Sequence, residues 1–510
     1  MKTTVFGAIY IGSYEVSLKI FTIKRSEGIK QIDHVKTRMH LGQDVYRGKY
    51  IGSDMLDELT STLLDFKSIL EGYKVDAYRA IAGNFFLDVR NKEFILDQIY
   101  IRCGIPVEVL SNSERRFISF QSVVTRKDFA ELGDGGIAVV DIGGDSLQVT
   151  IFEEGKMLTT QHFTMGTLKL LERLKGIDLS VDKFEKQMEE IIIKEFNTYK
   201  KLYLTDKNIE TVVFLGAYAS DFIKKVEKKK DGVTIPSEKF LKVLNKFYSK
   251  NVDQIFAELE LYNDHDLLVI PYIVLYRCIT EVFGTKNIWV PGTNISEGIA
   301  YDYALQRRML KCPHDMEADI ISAAGYLAGR FNAYSDHTDT LKETADLIFD
   351  TLKKYHGLGK REKLILEVAA ILHDVGKYVS IANAPECSYD IIINSEIIGL
   401  SHIEREIVAD VVLFNTRPIL DYSEMANRLS IESYMTVAKL AAILRVSNAL
   451  DRSHKQKMKK VRLAVKEKDF IISIETEDDI LLEKTLFDSR VDLFENTYGL
   501  RPVIKEKRLY

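Results

Sequence analysis

The sequence predicts an α/β protein with two related lobes, followed by a helical region and a small α/β tail. Residues 6–21 (FGAIYIGSYEVSLKIF) and 137–152 (IAVVDIGGDSLQVTIF) predict the lobes, because each reads as an apolar strand, a glycine turn and a second, alternating strand. Two such hairpins indicate an internally duplicated fold with a ligand cleft between the halves. After residue 305 the pattern becomes almost continuously helical, which predicts the helical region.

Length and composition limit the number of domains, the kinds of ligand and the location that can be expected. A chain of 510 residues is too long for one core, and we expect domains at 1–125, 126–305, 306–465 and 466–510. The formal net charge of −5 gives no overall field that would attract nucleic acid, so a site for a polyanion would have to be local. The absence of a signal peptide and of a membrane-length apolar run predicts a cytoplasmic protein that binds no membrane.

The cysteines exclude two classes of protein. Cys103, Cys278, Cys312 and Cys387 lie far apart and form no CxxC pair. Neither a disulfide scaffold nor a zinc site is therefore expected.

Strands and helices alternate along the first lobe, as in an α/β domain. After the first hairpin, apolar spacing predicts helices at 55–70 and 91–103 and strands at 77–82 and 105–110. The last strand leads into SNSERRF at 111–117. Ser111 followed three residues later by Glu114 is a capping box, which predicts the start of a helix.

The second lobe continues from its hairpin in the same style. We expect strands at 211–216 and 287–290, each leading into a glycine turn, at Gly216 and Gly292. The helices of this lobe are expected at 167–175, 181–201, 237–248 and 267–283. The lysine run at 224–230 is typical of a solvated helix face.

The central hairpin carries residue types that suit a phosphate ligand. Gly143 and Gly144 allow a tight turn with exposed N–H groups, and the Asp141 carboxylate can hold a metal ion or orient a water molecule. No GxxxxGK[ST] motif is present, so the pattern resembles the phosphate loops of actin-like and sugar-kinase ATPases and differs from a Walker loop. An ordinary hairpin with a glycine turn is the alternative. The second copy at 6–21 favours a phosphate loop.

With these motifs the chain resembles, over nearly its whole length, the exopolyphosphatase and guanosine-pentaphosphate phosphohydrolase family. The resemblance implies two actin-like (ribonuclease-H-like) lobes, an all-α HD-like domain and a small α/β C-terminal tail. It also implies a homodimer that removes the terminal phosphate of inorganic polyphosphate or guanosine pentaphosphate, with Mg²⁺ as a cofactor.

The resemblance assigns roles to particular residues. Glu114 falls where the family has a carboxylate that activates the attacking water, and Asp141 falls where the family positions Mg²⁺. For Glu114 there is an alternative, because a capping box at the start of a helix would place Ser and Glu at these positions without any catalytic role. The phosphate is expected on the loop residues of both hairpins: Gly12, Ser13, Gly143, Gly144 and Ser146.

The chain departs from the family pattern in both loops. Tyr10 stands where the family has an aspartate, and Glu15 adds a carboxylate to the first loop. In the central loop Asp145 replaces a glycine, and Arg115 follows Glu114 where the family has a second acid.

The added carboxylates, Asp145 and Glu15, bear on phosphate binding. Two anions about 4 Å apart repel each other by several kcal/mol at an effective dielectric constant near 20. We therefore expect these carboxylates to turn outward, to be bridged by a cation, or to be neutralised by Arg115 or Arg116.

The helical region contains AAILHDVGKYVS at 369–380, in which adjacent His373 and Asp374 resemble the HD superfamily of metal phosphohydrolases. His337 falls where that superfamily has its first histidine, but Asn448 stands where the motif has an aspartate. Because an amide is a weaker ligand for a hard cation than a carboxylate, we expect no metal ion here and regard the four positions as vestigial.

A basic run, RSHKQKMKKVR at 452–462, joins the helices to the tail. Such a run is most often ordinary surface. If polyphosphate binds, these lysines and arginines are the candidate track for a chain of phosphates, since they act as flexible positive charges: Arg452, Lys455, Lys457, Lys459 and Lys460.

Three hypotheses for function follow. The first is a phosphoanhydride hydrolase with weakened or altered activity, because the frame of the site is kept while several reactive groups differ. The second is a catalytically silent homologue that binds polyphosphate or a nucleotide as a sensor or scaffold. The third, an ATPase of the sugar-kinase type, is weaker because no adenine-site signature accompanies Gly216 and Gly292.

Overall fold

A computed structural model describes residues 3–174, 181–205, 207–216, 218–227, 232–248, 250–259, 268–333, 335–458 and 460–508. The chain divides into two compact units, Met1–Asp315 and Met316–Tyr510. The finer division into four domains stays a prediction. The first two sheets each lie within one predicted lobe, whereas the third sheet begins at Lys460, before the predicted start of the tail at residue 466.

The first lobe contains a five-stranded sheet in the order β3-β2-β1-β4-β5. Strand β1 pairs antiparallel with β2 and parallel with β4, so the first hairpin lies at the centre of the sheet. The strands are β1 (Thr4–Ile11), β2 (Glu15–Lys24), β3 (Gly28–Arg38), β4 (Ala77–Ala82) and β5 (Val107–Val109). The helices are α1 (Leu41–Gly48), α2 (Ser53–Gly72), α3 (Lys92–Cys103), α4 (Asn112–Val124) and α5 (Lys127–Ala130), with a 3-10 turn at Asn84–Asp88.

The second lobe contains a six-stranded sheet in the order β10-β11-β9-β6-β7-β8. Its strands are β6 (Gly136–Ile142), β7 (Leu147–Glu153), β8 (Lys156–Phe163), β9 (Ile209–Leu215), β10 (Val233–Pro236) and β11 (Asn287–Val290). Its helices are α6 (Thr167–Leu174), α7 (Val181–Tyr203), α8 (Ala219–Glu227), α9 (Ser237–Phe247), α10 (Val252–Leu259), α11 (Val269–Phe283) and α12 (Ile295–Gln306). The lysine run at 224–230, predicted to be a solvated helix face, lies partly outside the described residues.

The two hairpins are built alike, which confirms the internal duplication. The last paired residues are Ile11 with Val16 in one hairpin and Ile142 with Leu147 in the other, so each loop has four residues. Both loops are closed by the same hydrogen bond, from the first loop amide to the fourth loop carbonyl. Its length is 2.8 Å between residues 12 and 15, and 2.9 Å between residues 143 and 146.

Helix α4, which begins with the SNSERRF motif, is held against α12 by a close backbone approach. A β-carbon at Gly298 of α12 would lie 2.0 Å from the carbonyl oxygen of Ile118 in α4. Ile118 also belongs to an apolar cluster with Phe6 of β1 and Ile299 of α12. The absence of a side chain at residue 298 therefore fixes the position of α4 beside the first hairpin.

We expect Gly298→Ala to lower the free energy of unfolding of the first unit by about 2–3 kcal/mol, because the new methyl group must push the two helices apart. Chemical denaturation followed by circular dichroism measures this change. The matched control is Gly72→Ala at the end of α2, where no atom lies within 4 Å of the new β-carbon. Equal effects of the two substitutions would contradict the close packing of α4 on α12.

The second unit is mainly helical and ends in a three-stranded sheet in the order β12-β13-β14. Its helices are α13 (Met316–Arg330), α14 (Asp336–Thr351), α15 (Lys353–His356), α16 (Lys360–Leu372), α17 (Ala384–Ile393), α18 (His402–Phe414), α19 (Tyr422–Met425), α20 (Ile431–Leu450), α21 (Leu481–Asp488) and α22 (Asp492–Tyr498), with a 3-10 turn at Val375–Tyr378. Its strands are β12 (Lys460–Lys466), β13 (Asp469–Thr476) and β14 (Arg501–Arg508).

Two buried carboxylates of α18 share one guanidinium in this unit. Arg428 contacts Glu406 Oε1 through Nη1 and lies 3.3 Å from Asp410 Oδ1 through Nη2. The Tyr389 hydroxyl donates a 2.6 Å hydrogen bond to Glu406 Oε1. Asp410 is completely buried, and this burial raises the pKa of its carboxyl group to about 7.

The raised pKa of Asp410 predicts a loss of stability as the pH rises. Between about pH 4 and pH 7 the folded state holds a proton that the unfolded state has released, so the free energy of unfolding falls over this range. We expect Asp410→Asn to remove about 3 kcal/mol of the fall between pH 5 and pH 8, because about two pH units of the shifted range lie above pH 5 and each unit is about 1.4 kcal/mol. Urea denaturation at pH 5 and pH 8 measures it, and a constant difference between the two proteins at both pH values would contradict it.

Candidate functional site

The two glycine loops face each other across a small cavity in the first unit. The cavity has a volume of about 50 Å³. A β-carbon at Gly144 would lie 3.0 Å from Ser13 Oγ, so the loops approach each other at this point. The cavity is lined by Tyr10, Ser13, Gly83, Asn84, Phe85, Arg115, Gly143, Gly144, Asp145 and Ser146.

Four of the five residues predicted to bind phosphate line this cavity: Ser13, Gly143, Gly144 and Ser146. The fifth, Gly12, precedes Ser13, and its amide closes the first hairpin by donating to the carbonyl of Glu15. The structure therefore brings the two loops together as the duplicated hairpins predict.

The central loop is tied to the start of α6 through its carbonyl groups. The carbonyl oxygens of residues 143, 144 and 145 accept hydrogen bonds of 2.8–3.0 Å from the amides of residues 166–168. This approach needs glycine at 166, because a β-carbon there would lie 2.3 Å from the Ser146 amide nitrogen. The amides of residues 144–146 have no acceptor within the described part of the chain, so they can donate to an anion.

The first loop is held in the same way. The Ser13 carbonyl accepts a 2.6 Å hydrogen bond from the Gly42 amide in α1, and the Tyr14 carbonyl accepts a 2.9 Å bond from the Met39 amide. In both loops the carbonyl groups are therefore bonded to the backbone at or just before the following helix. This arrangement keeps carbonyl oxygens, which would repel a phosphate, away from the cavity.

Glu114 serves as the capping residue of α4. Its Oε2 accepts hydrogen bonds from the Ser111 amide at 2.9 Å and from the Ser111 hydroxyl at 2.7 Å. The side chain is exposed and does not line the cavity. The capping box predicted as the alternative role of Glu114 is therefore present. A role for Glu114 in activating water stays a prediction.

Arg115, the next residue, is the part of α4 that lines the cavity. Its Nη1 lies 3.6 Å from Asp141 Oδ2, and the Ser119 hydroxyl donates a 2.7 Å hydrogen bond to the same oxygen. The side chains of Arg115 and Asp141 are both less than one fifth exposed. The position that is acidic in the resembled family thus places a positive charge beside Asp141.

The predicted Mg²⁺ site does not fit these residues well. Asp141 is paired with Arg115, and a guanidinium beside a carboxylate competes with a divalent cation. In the part of the chain that the structure describes, no three His, Cys, Asp or Glu side chains converge as a metal site.

Asp145 is neutralised by a residue that the sequence did not indicate. Lys169 Nζ, on the first turns of α6, lies 2.5 Å from Asp145 Oδ1. Of the alternatives that the sequence left open for Asp145, neutralisation by a basic side chain is the one observed, but Lys169 provides the charge in place of Arg115 or Arg116. Lys169 and Asp145 are 24 positions apart in the sequence, and they meet because α6 folds back onto the central loop.

Tyr10 and Asn84 add polar groups to the cavity. The Tyr10 hydroxyl lies against Gly83, where a β-carbon would come within 2.8 Å of it. Burial raises the pKa of Tyr10, Arg115 opposes this shift, and Asp141 contributes to it. Tyr10 therefore stays a neutral hydroxyl donor near pH 7. Asn84, which sequence reasoning missed, has a buried Oδ1 without a hydrogen-bond partner.

The HD-like positions of the second unit form a polar cluster. The ring centroids of His337 and His373 are 5.2 Å apart. His373 Nδ1 lies 2.8 Å from the Ala370 carbonyl oxygen, and His373 Nε2 is 3.2 Å from Asp374 Oδ2. The Lys377 ammonium is 2.5 Å from the same carboxylate oxygen. A lysine therefore neutralises Asp374, and the expected absence of a metal ion stays a prediction.

The remaining HD-like positions are also packed by neighbouring groups. His337 Nδ1 is 2.8 Å from Asp451 Oδ2, and the His337 ring stacks on His454 at a centroid distance of 3.6 Å. Asn448 is buried, and its Oδ1 has no hydrogen-bond partner. The contacts of His454 and Asp451 were not indicated by the sequence.

The predicted polyphosphate track is only partly available. Lys457 is used internally, because its Nζ donates to the Asp479 carbonyl at 2.7 Å and lies 3.2 Å from Glu483 Oε2. Lys459 lies outside the described residues. The other three track residues are exposed: Arg452, Lys455 and Lys460.

Comparison with known proteins identifies the family. Residues 20–307 match the family model described as the Ppx/GppA phosphatase family, and residues 322–495 match the model of Ppx/GppA phosphatase domain III. The chain belongs to the Ppx/GppA phosphatase family. It is 23% identical to the guanosine-5'-triphosphate,3'-diphosphate pyrophosphatase of Aeromonas hydrophila over 88% of this chain and 87% of that protein.

Solved structures of Ppx/GppA proteins share the fold. A family member from Aquifex aeolicus superposes with a TM-score of 0.51 at 21% identity, over 60% of this chain and 99% of that one. An exopolyphosphatase from Cytophaga hutchinsonii gives a TM-score of 0.50 at 18% identity, over 61% of this chain and 99% of that one. Among the described helices, none is both long and apolar enough to cross a membrane.

The ion pair between Lys169 and Asp145 predicts a dependence of anion binding on this lysine. We expect Lys169→Gln to weaken the binding of tripolyphosphate about tenfold, because Asp145 is left as an uncompensated anion in the cavity. The double variant Lys169→Gln/Asp145→Asn should bind nearly as tightly as the wild type. Isothermal titration calorimetry measures the affinities.

The matched control for this experiment is Lys286→Gln. Lys286 Nζ forms a 2.8 Å ion pair with Glu210 at the surface of the same unit. Neither residue lines the cavity, so this substitution should leave the affinity unchanged. A double variant that stays as weak as Lys169→Gln would contradict the electrostatic explanation.

Proposed function

We propose that this chain is a phosphoanhydride hydrolase that binds the terminal phosphate of inorganic polyphosphate or guanosine pentaphosphate in the cavity between the two loops. The supporting observation is the set of donors around that cavity. Free amides of residues 144–146, the Arg115 guanidinium and the neutral Tyr10 hydroxyl all suit phosphate oxygens. Membership of the Ppx/GppA family supports hydrolysis as the reaction.

The donors act in the step that such chemistry requires. Phosphoryl transfer depends mainly on positioning the group and stabilising charge on its equatorial oxygens. In our proposal the loop amides and Arg115 hold these oxygens, and a carboxylate of the first unit accepts the proton of the attacking water. Glu114 is the candidate from family resemblance, and Asp141, beside Arg115, is the second candidate.

A second candidate function is a binding protein without turnover. It is favoured by the use of the Glu114 carboxylate in the capping box and by the positive charge that residue 115 adds to the cavity. Such a protein would sense polyphosphate or a guanosine nucleotide through the same donors. For either function we infer a homodimer, which rests on the family resemblance, and the cytoplasmic location stays a prediction.

Glu114→Gln separates the catalytic role from the structural one. Glutamine can also form a capping box, so the start of α4 should survive the substitution. For the hydrolase we expect a fall of about 10²–10⁴-fold in phosphate release from polyphosphate, with the unfolding temperature unchanged. If Glu114→Gln leaves the rate of phosphate release unchanged, another group must accept the proton of the attacking water. Asp141→Asn then tests whether Asp141 is that group.

The same assay separates the two functions. Wild-type protein that binds tripolyphosphate but releases no phosphate from polyphosphate or from guanosine pentaphosphate would contradict the hydrolase and favour the binding protein. In that case Arg115→Glu, which places a carboxylate in the cavity, provides the matched test of whether the positive charge at this position suppresses turnover. Arg115→Gln serves as its control, because it removes the positive charge without adding a base.

A further inference from the structure

A second cavity lies within the second unit, between α14, the end of α20 and the start of β12. Its volume is about 210 Å³, which is about four times the 50 Å³ of the cavity between the two loops. Since one water molecule takes about 30 Å³ of the liquid, the second cavity has room for about seven waters. This space is large enough for a small organic molecule.

Part of the wall of the second cavity is apolar. Its apolar lining residues are Leu347, Leu450, Met458 and Val461. Leu450 is buried, whereas Leu347 is 40% exposed, so the cavity opens to solvent beside Leu347. A ligand with a hydrocarbon part would remove this apolar wall from water, which favours binding.

A buried hydroxyl without a partner belongs to the same cavity. Thr344 of α14 lines the cavity, and its side chain is more than nine-tenths buried, with a residue exposure of 8%. The hydroxyls of Thr340 and Thr351, on the same helix, each donate to the carbonyl four residues earlier. The Thr344 hydroxyl makes no hydrogen bond to any group within the described residues. Because leaving a buried hydroxyl unpaired costs free energy, a ligand that pairs with Thr344 gains from it.

The other available polar groups of the second cavity are acceptors. Glu343 is exposed, and its carboxylate forms no ion pair in the part of the chain that the structure describes. Gln456 donates to the Asp451 carboxylate through its backbone amide at 2.8 Å and through Nε2 at 3.0 Å, which leaves Gln456 Oε1 as an acceptor. Among the described residues that line the cavity, none is basic. The cavity therefore combines negative charge and acceptor oxygens with an apolar wall.

This combination selects among classes of ligand. A phosphate or a carboxylate would be repelled by Glu343 and would meet no cation among the described lining residues. A divalent metal ion needs several converging ligands, and no three His, Cys, Asp or Glu side chains converge as a metal site among the described residues. An ammonium group is positively charged and has only donors, so it matches both the charge and the acceptors of the cavity.

We propose that the second cavity binds a small organic amine. Its N–H groups bind the Glu343 carboxylate and the Thr344 hydroxyl, and its hydrocarbon part covers the apolar wall. Because such a ligand binds only the folded chain, it stabilises the second unit. The site goes beyond the proposed function, since it shares no residue with the cavity of the first unit.

The test titrates the linear amine diaminobutane into the full chain by isothermal titration calorimetry at constant ionic strength. We expect saturable binding that Glu343→Gln weakens about fivefold or more, because a charge-assisted hydrogen bond is lost. The matched control is Glu432→Gln. Glu432 is also an exposed glutamate on a helix of the second unit, but it does not line the cavity, so its substitution should leave the affinity unchanged.

Thr344→Val tests the buried part of the cavity. Valine keeps the branched shape of threonine, and the hydroxyl that it removes has no partner within the described residues. The unfolding temperature of the free protein should therefore not fall, whereas the affinity for diaminobutane should fall about fivefold. Differential scanning fluorimetry measures the first quantity and calorimetry the second.

A neutral analogue separates the charge of the ligand from its shape. Butanediol has a similar length without the positive charge, and we expect it to bind about tenfold more weakly than diaminobutane. The proposal is overturned if diaminobutane shows no saturable binding, or if butanediol binds as tightly. It is also overturned if Glu343→Gln and Glu432→Gln weaken binding equally, because the amine would then respond only to the negative net charge of the chain.

Discussion

The site in the first unit depends on one set of backbone hydrogen bonds, those that bind the carbonyl groups of each loop to the backbone at the start of the next helix. A peptide group has its carbonyl and its amide on opposite sides, so fixing the carbonyls of residues 143–145 on α6 fixes where the loop amides point. The first loop repeats this arrangement with residues 39 and 42. A cavity suited to an anion therefore follows from the backbone, and side chains modify it.

The side chains around this frame differ from the pattern of the resembled family. Tyr10 supplies a neutral hydroxyl where a carboxylate is expected, and Arg115 supplies a positive charge where an acid is expected. Asp145 adds a carboxylate to the cavity, and the Lys169 ammonium group neutralises it. The three changes together keep the cavity favourable for an anion while reducing the number of carboxylates free to accept a proton. This balance is why binding and turnover have to be measured separately.

Local patterns in the sequence were enough to predict the hairpins, the glycine loops and the start of α4. These features depend on residues close together in the chain, such as the capping pair of Ser111 and Glu114. The sequence did not indicate which of two adjacent residues, Glu114 or Arg115, would face the cavity, because that depends on how α4 packs against α12. Contacts over long separations were missed for the same reason. The ion pair of Lys169 with Asp145 arises from tertiary packing.

Helix α6 stabilises the central loop in two ways, and both depend on the position of the helix. Its first amides hold the central loop, and Lys169, on its first turn, balances the charge of that loop. A rigid displacement of α6 by about 1 Å would take both the hydrogen bonds and the ion pair beyond bonding distance, so the loop would lose its shape and its charge balance together. Whatever moves this helix therefore acts as a single control on how strongly the first unit retains an anion.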